Sequence, residues 1–415
     1  MVKRIAAIVF IFICSSIAWG ILSFTIFTRT YNFQDKLRGQ VASIWGAEHY
    51  QSPPRASTQQ TILKKVQAIE NNQPVVKEIQ DSVVQLLKIE SSDIKVALEL
   101  EHRQKGLLWY STYKVAFNGT YVFINDSDTE DVTLTFTFPT SQAIYDDLVF
   151  KVNGEDSTFS NAGDSISTST KVAKGSKVAL QIGYKSQGMQ RWTYNFGSEV
   201  SQVRNFRLVM TTNFRDIDFP ENSISPSFKQ QTDRGWELTW QYNNLLSGFT
   251  IAMVMPEKLQ PGPLAGEISL FAPVSLFFFF FLMFIITTIR GIDLHPMNYF
   301  FLACAFFAFH LLLAYLVDHI SIHSSFAICS AVSIFLVVSY MRLVVGIRFA
   351  LLETSLAQFI YLVLFSYAFF FKGFSGLAIT IGSIITLFLV MQLTGRIKWS
   401  ERFAMATKPA PTQNQ

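Results

Sequence analysis

Three of the chain's six histidines stand in or just beyond one apolar stretch, AFHLLLAYLVDHISIH, residues 308–323. Histidine changes charge near neutral pH and is the commonest metal ligand, so spacing decides which chemistry is open to these three. On a helix, His310 and His319 are nine residues apart and face opposite sides, ~13 Å apart along the axis. One metal cannot take both. His319 and His323 share a face only if the helix runs past Val317, and two imidazoles without an HExxH-type base make an incomplete zinc site. Asp318 and His319 read as a polar helix end that meets water. His310 lies in mid-run, where a polar side chain needs a partner inside a bundle. It serves either an interhelical hydrogen bond or a proton relay or substrate contact. Glu353, Gln358 and the serines of residues 325–341 are its candidate partners.

Other chemistry is sparse. The loop NDSDTEDV, residues 125–132, alternates Asp126, Asp128 and Glu130 as calcium ligands do, but it lacks the glycine and terminal glutamate of an EF-hand loop. It reads as a solvated hairpin turn. Asp146 with Asp147, and Asp216 with Asp218, are carboxylate pairs with no matched partner. The sequence contains no nucleophile elbow, P-loop or dinucleotide fingerprint. No catalytic, cofactor-binding or metal-binding residue is assigned, and an enzyme is not expected. Two aromatic-basic clusters are candidate partner-binding residues: Arg191, Trp192 and Tyr194 in QRWTYNF, and Lys105, Trp109 and Tyr110 around Gly106. The competing reading makes those aromatics the core and edge of strands.

The elements that must position these residues follow from where the apolar residues fall. Half of the 415 residues are hydrophobic and 40 are phenylalanine, concentrated near the N-terminus and beyond about residue 270. That is the pattern of a membrane protein with a polar insert. A net charge of +4 without a basic block gives no footprint for nucleic acid. Cys14, Cys304 and Cys329 all lie in apolar runs, so the polar middle folds without disulfides.

Lys3 and Arg4 precede the apolar run Ile5 to Phe27, long enough to cross a bilayer. A cleaved signal peptide competes, with Ala18 and Gly20 as small residues, but the run continues through ILSFTIF and favours an uncleaved anchor. Five further runs follow: 271–289, 297–317, 325–341, 349–371 and 377–393. With the N-terminus in the cytoplasm, Lys3, Arg4, Arg290, Arg342, Arg348, Arg396, Lys398, Arg402 and Lys408 share the cytoplasmic side, and the short outer loops keep only Lys372. Both termini are then cytoplasmic and the middle is periplasmic.

That middle alternates. IKVALEL, VTLTFTF and WELTWQY place apolar residues at every second position. TYKVAF, TYVFI, LVFKV, VALQIGY, VRNFRLVM and FTIAMVM are further strands of an antiparallel sandwich. Ahead of them, residues 58–88 space Ile62, Val66, Ile69, Val76, Ile79 and Val83 at helical intervals, which predicts helices. The expected fold is an α+β membrane protein in four parts. They are an N-terminal transmembrane anchor (1–29), a periplasmic antiparallel β-sandwich-like domain with a helical lead-in (30–268), a five-helix transmembrane bundle (269–396) and a cytoplasmic tail (397–415).

Several segments carry a resemblance. LHPMNY (294–299), then HLLLAYLVDHI (310–320) and LVMQLTGRIKW (389–399), resemble the CreD family of bacterial inner-membrane proteins. In that family a Leu- or Ile-His-Pro motif opens a helix that ends in an acidic-His pair. ELEHRQKGLLWYSTYKVAFNGTY (99–121) and FPENSISPSF (219–228) with GWELTW are similar to its soluble part. The chain departs at QSPPRAS, where members show Gly-Pro. The resemblance implies an inner-membrane location and a part in cell-envelope integrity under stress control, and brings no catalytic residues. His295-Pro296 reads as a helix-entry motif. The expectation is an envelope protein whose β domain binds an unknown periplasmic or envelope partner, with the lipid bilayer as its other partner. The alternative is a transporter or intramembrane enzyme using His310, Glu353 and Gln358.

Overall fold

The computed structural model describes residues 2–70, 73–105, 108–197, 201–371 and 373–395. The expected tail, with Gly106, Lys372, Arg396 and the basic residues after it, lies outside them. The chain is α+β and divides into two compact units. One comprises Met1–Asp35, Gly106–Leu108 and Leu259–Gln415; the other comprises Lys36–Lys105 and Trp109–Lys258.

The second unit is sheet-rich. Its strands begin with β1 (His49–Gln51), β2 (Arg55–Glu70), β3 (Gln73–Leu86), β4 (Lys88–Lys105) and β5 (Leu108–Ile124). They continue with β6 (Asp131–Thr137), β7 (Tyr145–Val152), β8 (Glu155–Asp156), β9 (Ser160–Asn161) and β10 (Ser165–Lys171). The last are β11 (Lys177–Met189), β12 (Arg191–Tyr194), β13 (Ser201–Thr212), β14 (Phe228–Gln231), β15 (Trp236–Ser247) and β16 (Ile251–Val254). An eight-stranded sheet runs β14-β15-β13-β4-β5-β11-β7-β8, a five-stranded sheet β3-β2-β6-β10-β9, and a small one β1-β12-β16. The pairing is mostly antiparallel, as the alternation predicts, but β4 pairs parallel with β13 and β1 parallel with β12.

Period-two patterning explains the core. Ile94, Val96 and Leu98 of β4 are buried while Lys95 and Glu99 are exposed. Phe117 and Tyr184 from the large sheet meet Phe136 from the five-stranded sheet, with the Phe136 and Tyr184 rings 6.2 Å apart. Each such side chain contributes ~1.5–3 kcal/mol by leaving water.

The helices expected over 58–88 are a β-hairpin instead. Strand β2 pairs with β3 from Ser57–Leu86 to Glu70–Gln73, and with β6 only over Arg55–Thr58. The branched residues that happen to recur at helical spacing are good strand formers. Local spacing lost to cross-strand pairing.

The first unit is helical: α1 (Val2–Trp45), α2 (Pro261–Arg290), α3 (Pro296–Leu316), α4 (Ile322–Val344), α5 (Ile347–Phe370) and α6 (Ser375–Thr394). Among the described residues, six helices are long and apolar enough to cross a membrane. Two boundaries move from the expectation. Helix α1 continues as a polar helix past residue 29, because nothing interrupts it until Gly46, whose φ of 120° ends the turn. Helix α2 starts ten residues before Phe271, at a proline suited to a first turn. His295 does cap α3, its Nδ1 accepting from the Met297 N–H at 3.2 Å.

Helices α1 and α2 meet through small residues four apart, Gly262 and Gly266. A Cβ on Gly266 would lie 2.9 Å from the Phe27 ring, and Ser23 Oγ donates to the Gly266 carbonyl at 3.1 Å. Such spacing lets apolar helices approach without a hydrophobic driving force. Gly266→Leu should therefore lower the melting temperature of the detergent-solubilised protein, at a cost of ~1–3 kcal/mol. Gly376→Leu, where nothing lies within 4 Å, should leave it unchanged.

Candidate functional site

The three intramembrane candidates are not brought together. Glu353 forms an ion pair with Arg290 at the end of α2. Gln358 Nε2 donates to Ser333 Oγ at 2.9 Å, and Ser333 Oγ donates to the Ala305 carbonyl at 2.8 Å. His310 bonds through Nδ1 to the carbonyl of Phe306, one turn back, at 3.0 Å, and stands edge-on to the Trp19 ring at 5.6 Å. Each keeps one buried atom without a partner among the described residues: Glu353 Oε2, Gln358 Oε1 and His310 Nε2. Helix α5 passes through two π-helical stretches, Ala350–Thr354 and Phe359–Leu364, on either side of Gln358. The helix-end pair separates too. Asp318 takes Arg29 at 3.0 Å, and His319 falls in the turn after α3, so it shares no helix with His323.

The partner-binding candidates divide as well. Trp192, Tyr194 and Tyr110 are 0%, 1% and 4% exposed, so they are core residues and present no surface to a partner. Their strands send them inward. Arg191, Lys105 and Trp109 are half-buried, and Lys258 Nζ stands 3.9 Å from the Trp109 ring centre. The acidic loop is a built turn. Asn125 Nδ2 donates to the Thr129 and Val172 carbonyls at 2.9 and 2.7 Å, while Asp126 and Asp128 pair with Lys88 and Lys174. No group of three metal-ligating side chains occurs among the described residues.

A buried polar cluster that the sequence reading passed over lies at the start of the sheet-rich unit. His49 is fully buried, with Nδ1 2.8 Å from Tyr113 Oη and Nε2 3.1 Å from Ser186 Oγ. The Arg191 carbonyl lies 2.8 Å from Tyr113 Oη and the Ile144 carbonyl 2.8 Å from Ser186 Oγ, and a neutral His49, with one N–H, donates to one hydroxyl and accepts from the other. Burial lowers the His49 pKa to about 4, so the imidazole is neutral at neutral pH. Gly188 packs so tightly on His49 and Tyr113 that it leaves no room for a Cβ. The cluster ties β1, β5 and β11 together. Its role is to lock the fold.

An open trough about 670 Å³ in volume lies on the outer face of the eight-stranded sheet. Residues from six adjacent strands line it: β15, β13, β4, β5, β11 and β7. Five strand spacings of ~4.8 Å make it about 24 Å long. Its floor is small, with Ala97, Ala116 and Gly183, and a second hollow of about 530 Å³ shares Ala97, Ala116 and Lys185 and ends at exposed Ile144. Charges of both signs rim it. Lys185 pairs with Asp147 at 2.7 Å and Arg207 with Asp93 at 3.6 Å, while Lys95 and Glu237 form no ion pair among the described residues. The trough left a trace in the sequence. At the outward positions of three strands, alanine or glycine replaces the expected large polar residue.

The model of the family described as inner membrane protein CreD matches residues 269–400. That stretch contains the three helical segments that carry the resemblance; the two soluble segments lie outside it. A search of curated proteins returned no match. Among solved structures, a candidate nutrient-binding protein from Legionella pneumophila shares 10% identity at a TM-score of 0.34, over 56% of this chain and 76% of that one. An M1 zinc metallopeptidase from Deinococcus radiodurans shares 8% at a TM-score of 0.29, over 41% of this chain and 42% of its own length.

Proposed function

We propose that this chain is a CreD-like inner-membrane protein that supports cell-envelope integrity. Its helices cross the cytoplasmic membrane with both termini inside, and its sheet-rich unit stands in the periplasm and holds a segment of an envelope partner along the trough. The trough carries the reading: a long, small-floored, charged-rimmed channel on a face that the core does not need. A protein segment suits it better than a glycan, because the aromatic rings beneath it, Phe117 and Tyr184, are buried on the inner face. The charge distribution supports the orientation. Lys3, Arg4, Arg290, Arg342 and Arg348 gather at one end of the helices, with Arg4 paired to Asp293 and Arg290 to Glu353, whereas at the other end Arg29 pairs with Asp318.

A second reading, in which the helical unit moves a solute or does chemistry, rests on the unpartnered buried atoms of His310, Gln358 and Glu353. Buried polar atoms without partners are costly and need a reason. One experiment separates the two. A strain lacking the chain, scored for detergent and β-lactam sensitivity, receives wild type, His310→Ala, or a version without residues 58–255, with protein levels matched. Rescue by His310→Ala but not by the truncated chain is the expected result. Rescue by the truncated chain sinks the trough reading and moves the function to the helices.

A further inference from the structure

The helical unit carries a groove of its own. It runs between α1 and α2, has a volume of about 520 Å³, and every side chain that lines it is isoleucine, valine or phenylalanine. On α1, Ile5, Val9 and Ile13 follow one another along one stripe at four-residue intervals. Phe277, Phe281 and Phe284 form the facing stripe on α2.

Glycine decides where the groove stops. At Gly262 and Gly266, α2 comes so close to α1 that an added Cβ would meet Thr30 and Phe27. Further along, phenylalanines stand between the two backbones, with the Phe12 and Phe277 rings edge to face at 6.1 Å. Small residues let helices touch, and the larger rings hold these two apart with the groove beside them.

Size selects the occupant. The stretch from Ile5 to Ile13 is about 12 Å long on a helix, close to the ~15 Å of hydrocarbon in one leaflet. Spread over that length, the volume leaves a mean cross-section of about 40 Å², half of the ~80 Å² that a helix of ~10 Å diameter needs. Another transmembrane helix is too wide for it; an extended hydrocarbon chain is not. Ile5, Val9, Ile13, Phe277 and Phe281 are exposed, so the groove opens outward along its length. No lining side chain offers a hydrogen bond, so water has nothing to hold it there. Left empty, the groove would forfeit dispersion contacts along both walls.

We propose that this groove holds an acyl chain of one phospholipid, seated between α1 and α2 as a fixed part of the helical unit. The proposal rests on the reading that these two helices cross the membrane, and it adds a lipid-binding site to them. On the orientation proposed above, the lipid belongs to the cytoplasmic leaflet. Most of the side chains of α1 from Ile5 to Ile13 are exposed or half-buried, and the bound chain supplies contacts that the protein does not.

The test weighs the full-length chain intact. The protein is extracted from membranes in a mild detergent, and native mass spectrometry follows it as collisions strip the detergent away. Wild type should retain the mass of one phospholipid. Val9→Trp and Ile13→Trp, which put an indole into the groove from exposed positions, should each cut the retained fraction severalfold. Ile17→Trp, also exposed on α1 but outside the groove, should keep the wild-type fraction. Either filling variant suffices if the other fails to accumulate. Wild type without a bound lipid overturns the proposal. Equal retention in every variant overturns the groove as the lipid's seat. Loss of a protein dimer, rather than of a lipid, in the filled variants assigns the groove to a second copy and overturns the acyl chain. A chain recovered without detergent overturns the lipid site and the membrane reading together.

Discussion

Ala116→Trp returns the sensitivity of a complemented strain to that of the strain lacking the chain, while the variant accumulates and inserts like wild type. Ala116 lies at the centre of the trough floor, shared by both hollows, and faces outward from β5 opposite Lys185. An indole there occupies the space that a partner segment needs. The fold has little to lose, because the position is exposed and tryptophan is a good strand former. Stability should stay within ~0.5 kcal/mol of wild type, as for surface substitutions generally. Ser169→Trp, at an exposed position of β10 in the five-stranded sheet, is the control and should complement fully. Full rescue by Ala116→Trp would show that the trough is not where the partner sits.

Lowering the pH from 6.5 to 4 removes about 3 kcal/mol from the stability of the sheet-rich unit through one residue, His49. Its pKa is about 4 in the fold against 6.5 in the open chain, and each pH unit between them is worth ~1.4 kcal/mol. The folded value is the depressed one. Above pH 6.5 both states are neutral and the stability is complete. Between 6.5 and 4 the unfolded chain takes up a proton that the buried imidazole refuses, and stability falls. Below 4 both states are protonated and this contribution changes no further. Pulse proteolysis of the detergent-solubilised protein across this range reads the loss. His49→Gln, which keeps hydrogen-bonding capacity without titrating, should flatten the profile in that window. An unchanged slope would assign the acid sensitivity to other groups, such as Glu101, whose pKa the Lys114 hydrogen bond holds below its usual value.

These two sites had very different visibility in the amino-acid order. The outward alanines and glycine of the trough were present in VALEL, KVAFNG and QIGYKS, but each is one small residue in an ordinary strand. Only pairing sets them side by side: Ala116 opposite Lys185, Asn118 opposite Gly183, Thr211 opposite both Ala97 and Glu237. His49 gave no signal, since its partners lie 64 and 137 residues away. The aromatic clusters misled for the opposite reason. Arg191, Trp192 and Tyr194 look like a contact patch by type, yet a strand sends neighbours to opposite faces and the core took the aromatics.

What the sequence determined by itself is whatever depends on single-segment physics. Apolar length marked the helices, period two marked strands such as IKVALEL and VTLTFTF, and Leu294-His295-Pro296 marked the entry to α3. Tertiary structure alone decided what depends on competition between segments. The run from Ile62 to Val83 became a hairpin because two strand-forming segments paired, β4 joined β13 in parallel across more than a hundred residues, and His310, Gln358 and Glu353 took separate partners. Periodicity is a property of one segment and can be read from it. A partner is a property of two, and the energy that selects it exists only once the chain has brought them together.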